Sequence, residues 1–306
     1  SAKHVADTLR FIREGTAFAK WETVGAIEAD GAARYAQSLR EAGRSARTIQ
    51  SHLIALKSFT RWLAQGGKLA ADPLAGLKRP SPATDRRHER RALLPEEWPH
   101  LEAAARNGED RYGMTGPERA LLYRFAIETG LRSGELRSLT RQSLRLDDKP
   151  ACVIVKARST KNRKEARPFL HPELAEALRK HVATKAPNAR LFPLPHACNI
   201  VRMLRVDLDE SRRQWVKAAK DVPKERLRRE ESDFLAGRDH SGRVLDFHSL
   251  RHTCGTWLAQ SGALLYARRA RGDYSGLTPA VRAIVPHRST SLRMKLRSSS
   301  RVEPFR

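Results

Sequence analysis

The chain of 306 residues contains few cysteines, and what it has is poorly placed for cross-linking. Cys152, Cys198 and Cys254 are odd in number and form no CxxC pair, which excludes a disulfide scaffold and gives no zinc-ligand spacing. They read as thiols of a reducing compartment. Long apolar runs are also lacking. The best, Ala120–Ile127, is interrupted by Arg124 and falls well short of the ~20 residues of a spanning helix, so it reads as part of a core helix. No signal-peptide pattern opens the chain, and its first residue is Ser, as in a fragment or a trimmed chain. Acidic residues are scarce: 34 Asp+Glu face 59 Lys+Arg, a net charge of +25. A field of that sign favours a polyanionic partner, either nucleic acid or an anionic membrane surface. A merely basic, ribosomal-type protein is the plain alternative. Nucleic acid is favoured because the charge is spread along a chain with clear core periodicity.

The hydrophobic fraction of 40% is enough for a globular core, and the length suggests about two domains. Residues 1–80 read as helices only. Within them, Thr48–Gln65 carries Ile49, Leu53, Leu56, Phe59 and Leu63 at helical spacing, with His52, Lys57 and Arg61 on other faces. Ser45 or Thr48 is its expected cap, and Gly66-Gly67 its stop. Residues 81–91 are proline-punctuated, polar and basic, as an exposed connection would be. Beyond them a helix is expected from Pro95–Trp98, and others over Gly116–Thr129, Glu173–His181 and Asp207–Ala219, the last exposed and charged. Ala151–Ala157 and Ala166–Leu170 read as two strands joined by a basic turn, Ser159–Glu165. The expected class is therefore mainly α with a small β-sheet (α+β).

Three segments carry chemistry. In Glu128-Thr129-Gly130-Leu131-Arg132-Ser133-Gly134-Glu135-Leu136, a glycine turn delivers Arg132 to the start of a helix. Its planar fork can meet a phosphate there, aided by the helix N-terminus. Alone, such an arginine is more often a solvated cap. The basic turn holds Lys161 and Lys164, which on their own would be edge protection. In Asp246-Phe247-His248-Ser249-Leu250-Arg251-His252-Thr253, His248 and Arg251 share one helical face. His248 and His252 also have metal-like spacing, but HExxH is absent and no third ligand is near, so no metal is expected.

Together, TGLR followed by Glu-Leu, the hairpin lysine and HxLRHT closely resemble the boxes of the tyrosine recombinase (phage integrase) family. The resemblance implies a helical, SAM-like core-binding domain at 1–80 that clamps DNA, a basic linker at 81–91 and a catalytic domain at 92–306. It implies site-specific breakage and rejoining of double-stranded DNA through a 3′-phosphotyrosyl link, for a mobile element, in the cytoplasm. No cofactor is needed, because the phosphodiester energy is stored in that link. Arg132 and Arg251 would hold the scissile phosphate, and Lys161, with Lys164 as the fallback, would protonate the departing 5′ oxygen. His248 would assist proton transfer at the nucleophile, and Glu135 would orient its neighbours. Self-association on DNA, as a tetramer, belongs to the same expectation.

The pattern breaks near residue 263. The family's tyrosine falls about thirty residues beyond the second-box arginine, and Arg282–Ile284 holds none. From Ala263 onward nine Arg and one Lys face only Asp273 and Glu303, and apolar periodicity stops. The nucleophile is therefore unassigned. Tyr274 is the candidate that remains, with Tyr266 behind it, and His287 comes too late to supply the missing histidine box. A frameshifted reading frame and a genuine, divergent tail both account for this. An inactive DNA-binding relic or regulator is thus the alternative to an active enzyme.

Overall fold

The structure, a computed structural model, describes residues 2–261. It divides into two compact units, Ser1–Glu89 and Arg90–Arg306.

The first unit is built on α1 (Ala2–Phe18), α2 (Ala29–Glu41) and α3 (Ala46–Gln65). Helix α3 begins where Ser45 accepts a hydrogen bond from the Thr48 N–H and ends at Gly66, followed by Gly67 at φ +68°. Its apolar face, Ile49, Leu53 and Leu56, packs with Ala32 and Tyr35 of α2 and with Leu74. Leu74 is held by Asp72, which accepts from both the Thr60 hydroxyl (2.7 Å) and the Leu74 N–H (3.0 Å). One expectation fails here. His52, expected on a face other than the apolar one, is 4% exposed. Its Nδ1 lies 2.8 Å from the Tyr35 hydroxyl, and its ring packs on Phe11. Burial holds its pKa below the ordinary value and pushes that of Tyr35 up to about 12. Residues after Ser81 are tied back to the same unit: Asp85 accepts from the Ala46 N–H, and Arg87 bonds Asp85 and the carbonyls of Gly43 and Arg44.

The second unit has one large core beneath α4 (Trp98–Asn107), α5 (Gly116–Thr129), α7 (Pro172–Val182), α8 (Ala197–Lys217) and α10 (Ser249–Gln260). Short helices α6 (Ser133–Arg137) and α9 (Pro223–Glu231) lie between them. Helix α5 opens with a capping box, Thr115 and Glu118, and is buried nearly all round, so its sequence has almost no amphipathic period. The sheet is smaller than the sequence suggests. Its ladder pairs β1 (Leu144–Arg145) with β2 (Cys152–Val153), antiparallel. The rest of the expected hairpin survives as bridges, Cys152 with Phe169 and Val155 with Ala166, with Val153 and Val155 fully buried. Leu144–Arg145 has no alternating pattern long enough to register as a strand.

Helix α8 corrects a second expectation. It starts ten residues before Asp207, and that residue, expected on an exposed helix, is 1% exposed beside Ile200, Met203, Leu204 and Leu208. Its burial is compensated by Arg119, whose Nε and Nη2 donate to the two carboxylate oxygens (2.9 and 3.1 Å), and by the Tyr123 hydroxyl at 2.8 Å. No described helix is long and apolar enough to cross a membrane.

Candidate functional site

Helix α5 must end sharply for the first motif to work. Gly130 takes the left-handed conformation, φ +60°, and its N–H returns to the Ala126 carbonyl. A Cβ there would also stand 3.0 Å from the Cys254 sulfur of α10. Glycine is therefore required twice, for the turn and for the approach of α10 to the end of α5. Burial in that contact pushes the Cys254 thiol up to about 12, so it stays protonated.

The turn leaves Arg132 at the N-cap of α6. Glu135, buried at 5% exposure, accepts from the Arg132 backbone N–H (2.8 Å) and from its Nη1 (2.9 Å). A single carboxylate thus ends the helix properly and aims the guanidinium. The Nε and Nη2 of Arg132 make no hydrogen bond to any described residue. Arg137, one turn later, differs: it is spent on the carbonyls of Leu194 and Pro195.

The second motif arrives on α10. His248 is its N-cap residue, and the Arg251 N–H returns to the His248 carbonyl. The Arg251 Nη1 donates to the carbonyl of Gly130, two residues before Arg132. Here too Nε and Nη2 bond no described residue. The glycine that turns the chain at the first motif is thus gripped by the arginine of the second, although 121 positions separate them. Both arginines keep the same two-donor edge uncommitted. That edge matches two oxygens of one tetrahedral anion.

His248 is open to solvent on one side and packed on the other. Its pKa is held below the ordinary histidine value by desolvation, then by the Arg90 guanidinium and the neighbouring His252, with Asp246 opposing and Arg251 adding a little. The neutral ring, stacked edge-to-face on His252, has an acceptor nitrogen at neutral pH.

The structure therefore brings together Arg132, Glu135, His248 and Arg251. It leaves Lys161 and Lys164 on an exposed turn, closed by the Thr160 hydroxyl on the carbonyls of Ala157 and Lys164. Lys161 makes no ion pair among the described residues. Tyr266, Tyr274 and His287, with the tail from 263, lie outside the described residues. Sequence reasoning missed Arg90. Its Nε donates both to Asp246 Oδ1 (2.9 Å) and to Oδ2 (2.8 Å), beside His248, whereas its sequence reads only as part of a basic, exposed linker. A contact across 156 positions leaves no local signal.

Known proteins resemble the chain in sequence pattern and in fold. The phage integrase family pattern matches residues 92–267, more than half of the chain. Solved structures similar in fold include the integrase of transposon Tn1549 in complex with transposon right end DNA. It has 15% identity and a TM-score of 0.59, over 92% of this chain and 89% of that one. A lambda integrase dimer bound to a COC′ core site gives 15% identity and 0.59, over 99% and 91%. The XerH site-specific recombinase bound to its difH substrate gives 18% and 0.56, over 84% and 67%. No curated protein matches the chain in sequence. The mostly helical unit with a two-stranded sheet, the two motifs joined at Gly130 and the match over 92–267 lead to one assignment: the chain belongs to the phage integrase family, the tyrosine recombinases.

Proposed function

We propose that the chain is a site-specific DNA recombinase that breaks and rejoins duplex DNA through a 3′-phosphotyrosyl intermediate. One observation carries the reading. Arg132 and Arg251 are joined through Gly130, and each holds itself with Nη1 while leaving its Nε–Nη2 edge free of described partners. In phosphoryl transfer to a phenol, negative charge is concentrated on the nonbridging oxygens as the transition state forms. Two preorganised guanidinium edges stabilise that charge without reorganising. Glu135 orients Arg132. Neutral His248 takes the proton from the attacking hydroxyl, and Lys161, or Lys164 in the other register of the turn, gives one to the departing 5′ oxygen. Tyr274 is the candidate nucleophile. The partner is double-stranded DNA, on which copies of the chain self-associate, in the cytoplasm. The net charge of +25 supports phosphate contacts whose strength falls with salt.

The test is a suicide substrate, nicked so that the released fragment diffuses away and the covalent adduct accumulates. Wild-type chain should form an adduct, and Arg132→Ala and Arg251→Ala should form almost none while still binding the duplex. Undiminished adduct in either variant removes the assigned roles.

A second reading, a DNA-binding relic or regulator with the recombinase fold, is favoured by one specific observation: Arg282–Ile284 has no tyrosine. It predicts duplex binding with no adduct at all. Under that reading Lys161→Ala and His248→Ala leave every activity unchanged.

A further inference from the structure

The first four residues of the second unit run beside the chain that leads into α10 and then meet the helix itself. The backbone of Arg90 bridges to Val244, and the Arg91 N–H donates to the Val244 carbonyl at 3.0 Å. The Arg91 guanidinium is buried and bonds both oxygens of Glu97 (2.8 and 2.9 Å) and the carbonyl of Ala236. Leu93 then meets α10 itself. Its N–H donates to the Thr253 hydroxyl, and its carbonyl accepts from the Trp257 indole, each at 2.9 Å. Thr253 and Trp257 are one helical turn apart, so these two bonds set the height of α10.

At the top of this brace Arg90 acts on the helix cap. Asp246 accepts the Ser249 N–H at 3.1 Å, one of the donors that the start of α10 leaves over, and its own N–H donates to the Ser249 hydroxyl. Asp246 is 12% exposed at its side chain, and both of its oxygens receive Arg90. The one Nε–H is shared between the two oxygens, a three-centre bond that a turned carboxylate would lose on one side. The residues that follow that cap are His248 and Arg251.

We propose that Arg90 is a positioning residue for the candidate site: by sharing its Nε–H between the two oxygens of Asp246 it fixes the first turn of α10, from which His248 and Arg251 project. The inference rests on the recombinase reading for its catalytic consequence, but not for its structural one. Arg90 touches no reacting atom. It acts through Asp246, and its charge also bears on the His248 ring, with Arg251 and the neighbouring His252 in the same direction and Asp246 against.

The experiment uses the full chain and four variants, Arg90→Gln, Arg90→Lys, Asp246→Asn and the Arg90→Gln/Asp246→Asn pair. Amide hydrogen exchange is measured residue by residue, His248 is titrated by NMR, and duplex binding and suicide-substrate cleavage are followed. In Arg90→Gln, exchange at Ser249, Arg251 and His252 should quicken by about tenfold, with α5 unchanged. The His248 pKa should rise as a neighbouring cation is lost. Cleavage should fall about tenfold with duplex affinity kept. Arg90→Lys should return the His248 titration toward wild type without restoring cleavage, because a flexible ammonium does not hold an N–H at a fixed angle between the two oxygens as the planar guanidinium does. In the Asp246→Asn background, Arg90→Gln should add nothing. Unchanged exchange and titration in Arg90→Gln overturn the proposal, as does a loss of protection spread evenly over the unit. A full further loss of cleavage in the Asp246→Asn background overturns it as well. Should the wild-type chain cleave nothing, the recombinase reading fails alone, while exchange and titration still decide the role of Arg90.

Discussion

Arg119 and Arg132 sit at the two ends of one stretch of chain, α5 and the turn after it, and each faces a carboxylate. At the front end, Arg119 is 0% exposed and every nitrogen is engaged. Nε and Nη2 bond Asp207, Nη1 bonds the carbonyls of Glu109 and Met114, and Nη2 also reaches the carbonyl of Ala105. At the far end, Arg132 keeps 41% of its side chain exposed and commits one guanidinium nitrogen to Glu135. The same pair of residue types serves two purposes. A guanidinium with no donor left is part of the core, whereas one held by a single corner is ready for a ligand.

Arg119→Ala should break this contrast most severely. It strands the Asp207 carboxylate in the core and should lower stability by about 3–5 kcal/mol, read as a shift in urea midpoint. The opposite result is expected at Arg132. Arg132→Ala should leave stability, read from the urea midpoint, within about 1 kcal/mol of wild type, because the Arg132 side chain is 41% exposed and Glu135 keeps the backbone N–H of residue 132. It should nonetheless cut the rate of adduct formation about 10²–10³-fold. A variant at the join comes next. Gly130→Ala places a side chain in a left-handed turn against Cys254 and should cost about 1–2 kcal/mol, with a loss of cleavage as α10 is pushed away.

The smallest effect is one of pH. His52, His100, His181 and His248 are all held below the ordinary value of 6.5, each chiefly by burial. Their folded states resist protonation, so the unfolded chain binds more protons as pH falls. Their contribution is therefore full above about pH 6.5 and is lost progressively below it. Thermal unfolding between pH 7.5 and 5 should show the midpoint dropping only on the acid side of 6.5. His52→Gln should flatten part of that drop without touching cleavage, since His52 lies in the first unit.

What could be read in advance follows the range of the interactions. Helix α3 announced itself through a cap and a stop only a few residues away, Ser45 and Gly66, and α5 through the glycine turn at Gly130 that ends it. The motif residues Arg132, Glu135, His248 and Arg251 were legible because each local string is distinctive. Asp207 and His52 were misplaced because both are polar residues whose burial depends on a distant partner, Arg119 in one case and Tyr35 in the other. Arg90 was hidden for the same reason, in a basic run that looks like any solvated tether. The hairpin was overdrawn because β-branched residues at 153–155 signal extended chain and inward packing, not how many ladder bonds form.

The central claim is that Arg132 and Arg251 neutralise the nonbridging oxygens of a single scissile phosphate. It is tested most directly by replacing one of those oxygens with a methyl group, as a methylphosphonate at the cleavage position of the suicide substrate. With the charge removed, the deficit of Arg132→Ala and of Arg251→Ala relative to wild type should shrink from about 10²–10³-fold to about tenfold or less. A deficit that stays the same on the neutral substrate, or wild-type chain that forms no adduct on either one, would contradict it.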